Sequence, residues 1–141
     1  MTVEKDIVLW DNGAEKLSIF SVPASQQYRY MENSPCVTFG IVYENENYKG
    51  RDIFTAFGSF YEDLLRAMQE AYRALTGSFR IADSAAETDG YLDFDLANGK
   101  LRVKGQLGAS FCGYSLRFAM EADQTLVGAL LRSLSVCGDS K

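Results

Sequence analysis

The sequence contains no histidine. That absence removes the commonest general base and the commonest transition-metal ligand. Ser-His-Asp and Cys-His nucleophilic sites are impossible without it. Cysteine is scarce as well. Cys36, Cys112 and Cys137 lie far apart with no CxxC pair, so zinc ligation is not indicated. Free, largely buried thiols in a reducing compartment are the expectation. No apolar run approaches the ~18 residues of a membrane-spanning helix. The opening MTVEKDIVLW introduces acids at once, unlike a secretory leader. A cytoplasmic protein is therefore expected.

Basic residues are in deficit: 14 Lys and Arg against 19 Asp and Glu, for a net charge of −5. A nucleic-acid binder would need a basic face, and an anionic membrane would repel this chain. A basic protein partner fits, because opposite fields speed association. Phosphate-binding patterns are missing too. Gly105, Gly108 and Gly113 are close together, but no Lys-Ser/Thr and no helix follow, so turn or bulge glycines are expected. Asp83–Asp89 (DSAAETD) lacks the ligand spacing and glycine of a calcium loop. It reads as a solvated acidic loop. Neither cofactor nor metal is expected, and no constellation points to an enzyme.

What is present is a globular composition, 47% hydrophobic and 23% charged over 141 residues, enough for one domain. The dominant element is Phe54–Gly77. Phe57, Phe60, Tyr61, Leu64, Leu65, Met68, Ala71, Tyr72 and Leu75 recur at helical spacing. A helix of about 54–76 would be roughly 30 Å long. Ser59 with Glu62, or Thr55, would cap its start, Glu62–Arg66 would pair four apart, and Gly77 would supply the left-handed stop. Its stripe is expected to cover a sheet at Phe94, Leu96, Leu101 and Val103.

Strands flank this helix. Asn12-Gly13 marks a hairpin between runs ending at Trp10 and beginning near Leu17. A two-residue loop would set Trp10 opposite Glu15 and Val8 opposite Leu17, which mixes the faces. A short edge strand is conceivable at Gln27–Met31. Val37, Phe39, Ile41 and Tyr43 alternate with Thr38, Gly40, Val42 and Glu44, a strand pattern. A second hairpin spans Tyr91–Leu96 and Lys100–Leu107 around Asn98-Gly99. Its register opposes Leu96 to Leu101, Phe94 to Val103, Asp95 to Arg102 and Asp93 to Lys104. Ser78–Ala82 and Phe111–Met120 are further strands. Asp123 is the expected N-cap of a helix at about 124–137, with Leu126, Leu130, Leu131 and Leu134 inward and Gly138 as its stop. The fold class is α+β: a mainly antiparallel sheet covered by one long and one short helix. No internal repeat is evident.

Interaction chemistry concentrates in the tyrosine and acid residues between Tyr28 and Tyr48. Tyr28, Tyr30, Glu32, Glu44, Glu46 and Tyr48 suit a protein interface, since tyrosine is a common hot-spot residue. Packing of half of these rings on the sheet is the competing reading. Nine Phe and eight Tyr also allow a small-molecule-binding or scaffold domain.

The second half carries a further pattern: Phe60, Leu64 and Leu75-Thr76-Gly77, then Leu101-Arg102-Val103, Leu116-Arg117-Phe118, and Asp123-Gln124-Thr125-Leu126 entering a leucine helix. Over about Val37 to Val136 this resembles the WapI-type bacterial immunity proteins and their relatives. No catalytic residue defines that family. The resemblance implies a cytoplasmic protein that binds and blocks a cognate toxin domain.

Overall fold

The structure is a computed structural model that describes residues 6–22 and 36–139. It is α+β, with two antiparallel four-stranded sheets and two helices. The first sheet is a meander of β1 (Ile7–Asp11), β2 (Glu15–Ser21), β3 (Cys36–Asn45) and β4 (Lys49–Phe57), which runs directly into α1 (Gly58–Ala74). The second is a meander of β5 (Gly77–Ala82), β6 (Tyr91–Ala97), β7 (Lys100–Leu107) and β8 (Leu116–Asp123), which runs directly into α2 (Gln124–Asp139). The same order of elements thus occurs twice. The repeat is one of architecture, invisible in the residue pattern. The possible strand at Gln27–Met31 lies outside the described residues.

The long helix begins four residues later than its periodicity predicts. Phe54, Thr55 and Ala56 are buried strand residues, paired with Phe39, Thr38 and Val37 of β3. The same FTAF segment satisfies both periods, and the ten-residue β3 supplies the partner that decides between them. Gly58, at φ +43°, makes the turn from strand to helix. Phe57 occupies the cap position with no side-chain hydrogen bond, so neither expected cap forms. At the other end the left-handed residue is Leu75, at φ 60°, and Gly77 already belongs to β5. The Leu75 carbonyl is satisfied by Gly99 N–H at 3.0 Å. Arg66 pairs with Asp63 at 3.4 Å, three residues back, rather than with Glu62.

The main neighbours of α1 are not β6 and β7. It runs along β5 and against α2. Only Met68 and Ala71 are buried, Leu64 and Leu65 are half-covered, and Phe60 is 67% exposed. The stripe is wider than the surface it packs on. Tyr61 reaches α2 through a 3.3 Å bond from its hydroxyl to the Leu134 carbonyl. The central helix is α2, seated on β1, β2 and β3, with Leu126, Val127, Leu130 and Leu134 fully buried. Asp123 caps it as expected, accepting the Thr125 N–H at 2.9 Å. Gly138 falls within its last turn rather than stopping it.

The Asn98-Gly99 hairpin has the expected register at every pair. Its charges choose other partners. Asp93 receives two bonds from Arg80 of β5, at 2.5 and 2.8 Å, and Arg102 meets Glu121 at 3.8 Å. A planar guanidinium matches both carboxylate oxygens, whereas Lys104 offers only a point charge. The Asn12-Gly13 hairpin differs from the two-residue expectation. Trp10 opposes Leu17 and Val8 opposes Ser18, with a bulge between them that brings Leu9 into the core.

One hydrophobic cluster joins both sheets and both helices. The sheets meet where β4 lies against β5 and where β3 and β4 approach β7. There Tyr43 stacks on Phe118 with centroids 4.1 Å apart and planes at 12°. This seam fixes the turns and loops at one end of the molecule.

Candidate functional site

Two tight turns stand side by side at that end. In the β1–β2 turn, Asp11 Oδ1 accepts the Gly13 N–H, and Asn12 Oδ1 accepts those of Ala14 and Glu15, at 2.8–2.9 Å. In the β3–β4 turn, Asn45 Oδ1 accepts the N–H groups of Asn47 and Tyr48, both at 2.9 Å. Such side-chain bonds fix a turn without help from neighbours. Tyr43 then locks the turns together. Its hydroxyl donates to Glu15 Oε1 at 2.6 Å and accepts from Asn45 Nδ2 at 3.2 Å. Burial, and the bond to the Glu15 carboxylate, push the Tyr43 phenol up. Lys16 and Glu44 add a rung at 3.6 Å.

The turns enclose an open cup of about 460 Å³ whose rim carries Asp11, Glu15, Glu44 and Glu46, with Lys16 as its cation. Beside it, Tyr48 stands 63% exposed. Tyr48, Lys49 and Arg51 form one wall of a groove of about 430 Å³, and Gly108, Gly113 and Tyr114 form the other.

The second wall departs from expectation. Phe111 and Tyr114 do not belong to a strand, because β8 starts at Leu116. Left-handed backbone at Gly108 (φ +93°) and Gly113 (φ +82°) breaks the extended chain and brackets a 3-10 turn, Ser110–Cys112. Phe111 is consequently 68% exposed and Tyr114 84%. Cys112 on the same turn is a free, exposed thiol rather than a buried one.

The acidic stretch Asp83–Asp89 is not simply solvated. Asp83 accepts the N–H groups of Thr55 (2.9 Å), Ala85 (3.3 Å) and Glu87 (2.9 Å). Ser84 N–H donates to the Thr55 carbonyl at 2.8 Å. These bonds occupy backbone groups at the β4 edge. Asp89 accepts from Gln106 Nε2 at 3.1 Å and from both the N–H (2.8 Å) and the hydroxyl of Ser110. The Ser110 bonds hold its carboxyl below the usual range.

Of the expected interface residues, Glu44, Glu46 and Tyr48 come together here. Tyr28, Tyr30 and Glu32 lie outside the described residues. Tyr43, in the same stretch, is buried. Asp11, Glu15, Phe111 and Tyr114 are additions. The glycines bracketing Ala109–Cys112 were the available signal for the exposed rings, and strand alternation from Tyr114 to Met120 masked it. Among the described residues, no group of three His, Cys, Asp or Glu side chains is placed to hold a metal ion. Among them too, no helix is long and apolar enough to cross a membrane. No protein-family model, curated protein or solved structure matches this chain.

Proposed function

We propose that this protein is a non-catalytic cytoplasmic immunity protein, which binds and blocks a cognate bacterial toxin domain through the end just described. The observation that carries the reading is two exposed aromatic rings, Tyr48 and Tyr114, lining one groove, with Phe111 exposed on the same loop as Tyr114, beside an acidic cup on turns fixed by their own hydrogen bonds. Exposed rings on fixed backbone offer large contact area at small entropic cost. The carboxylates at Asp11, Glu15, Glu44 and Glu46 favour a basic partner and speed its approach. The resemblance of residues Val37 to Val136 to WapI-type immunity proteins points the same way. Inhibition is by occlusion: the partner's surface is covered and no bond is made or broken.

Co-expression with the product of a neighbouring toxin-like reading frame tests this. The wild-type chain should restore growth and form a stoichiometric complex. Absence of both complex and rescue would refute the reading.

A further inference from the structure

We propose that Asp52 and Asp89 are positioning residues for the aromatic loop. They hold residues 108–115 in the one conformation that presents Phe111 and Tyr114. The functional weight of this role rests on reading that loop as partner-binding; the positioning itself does not.

Asp52 occupies β4 opposite Ile41, on the face that carries Phe54 and Ala56 into the core. A carboxylate there is costly unless its oxygens are satisfied. Its Oδ2 accepts the Thr88 hydroxyl at 2.8 Å and the Gly108 N–H at 2.9 Å, and its Oδ1 accepts the Ile53 N–H at 2.8 Å. Gly90 makes this possible: a Cβ there would collide with the Asp52 carboxylate and stand 2.8 Å from the Gln106 carbonyl. Asp89 takes the Ser110 N–H and hydroxyl. Gln106, 3% exposed, bridges the network. Its Nε2 donates to Asp89 and to the Gly108 carbonyl, and its Oε1 accepts Arg117 Nε at 3.3 Å.

The loop therefore enters through two N–H groups, Gly108 and Ser110, that end on carboxylates from separate parts of the chain. It leaves toward Arg117, which the same network holds. Charge-assisted bonds of this kind are about twice as strong as neutral ones. They replace strand pairing across a segment with left-handed residues at both ends. A loop ordered before contact spares the partner the entropy of ordering it.

The test is amide exchange and NMR on the full chain, without a partner. Asp89→Ala should raise exchange across 108–114 by roughly tenfold or more, with β6 and β7 amides unchanged. Ser110→Ala should do so by less. Asp89→Asn, which keeps a neutral acceptor, should restore part of the protection. In the wild type, the Ser110 amide proton shift should follow titration of the Asp89 carboxylate, and that response should vanish in Asp89→Ala. The charged group linked to Asp89 is Arg117, by way of Gln106; Asp52 meets the same loop at Gly108. Exchange across 108–114 that is unchanged in both Asp89→Ala and Ser110→Ala would overturn the role of Asp89, and exchange at Gly108 that is unchanged in a folded Asp52→Ala would overturn that of Asp52. A loosened loop in a chain that binds no toxin domain would sink the interface reading and leave the positioning role standing.

Discussion

The Tyr43 hydroxyl donates to Glu15 Oε1 at 2.6 Å, across the β2–β3 pair, while its ring stacks on Phe118 of the other sheet. One side chain thus couples the two turns of the acidic cup to each other and to the core. Tyr43→Phe keeps the stack and removes the bond. It should cost about 1 kcal/mol in urea unfolding and loosen both turns in amide exchange. Tyr43→Ala, which also removes the ring, should cost about 3–5 kcal/mol. A neutral Tyr43→Phe with protected turns would show that the coupling is not energetic.

The helices divide labour unequally, and stability should follow burial. Met68→Ala in α1 and Leu130→Ala in α2 remove fully buried side chains and should each cost about 2–5 kcal/mol. Leu64 is half-covered, so Leu64→Ala should fall below about 2 kcal/mol, and Phe60→Ala should stay within about 0.5 kcal/mol. Denaturant midpoints at constant m-value check the ranking.

This ranking also shows where the sequence was legible. Strong alternation in β3 and in the β6–β7 hairpin placed those strands, their inward residues and, in the hairpin, the register. The Asp123 cap marked the start of α2 to the residue. Phe54–Phe57 misled because its apolar spacing fits helix and strand alike, and the choice lies with β3, distant in sequence. The interface was half legible. Glu44, Glu46 and Tyr48 announced themselves by composition. Phe111 and Tyr114 did not, because their exposure depends on two left-handed glycines and on carboxylates arriving from β4 and from the β5–β6 loop.

Acid should weaken the fold in part through Asp93. The Arg80 guanidinium bonded to it holds its carboxyl below the ordinary value. A depressed folded-state pKa gives stability that is present above the ordinary carboxylate range and lost as pH falls through the folded value. The pair is well exposed, 59% for Arg80 and 42% for Asp93, so its contribution should be under about 1 kcal/mol. Asp93→Asn should lower the urea midpoint slightly at pH 7, and that difference should shrink as pH falls below the ordinary carboxylate range. Equal losses above and below that range would show that the ion pair is not the source.

Association with a basic partner should depend on salt. Between about 0.05 and about 0.5 M salt, the on-rate should fall by tenfold or more while the dissociation rate changes little. Replacing Glu44 and Glu46 by Gln should remove most of that dependence in stopped-flow measurements. A dependence that survives both substitutions would place the steering charge elsewhere.

The central claim is that the aromatic rings beside the acidic cup grip a toxin domain. The most direct measurement is the dissociation constant of the complex with the neighbouring toxin-like product, for the wild type and for Tyr48→Ala/Tyr114→Ala. Both rings are exposed, so the double variant should unfold at the wild-type midpoint within about 0.5 kcal/mol. Its affinity should drop by about 100-fold or more, and growth rescue should fall with it. Undiminished affinity and rescue in the double variant would contradict the claim.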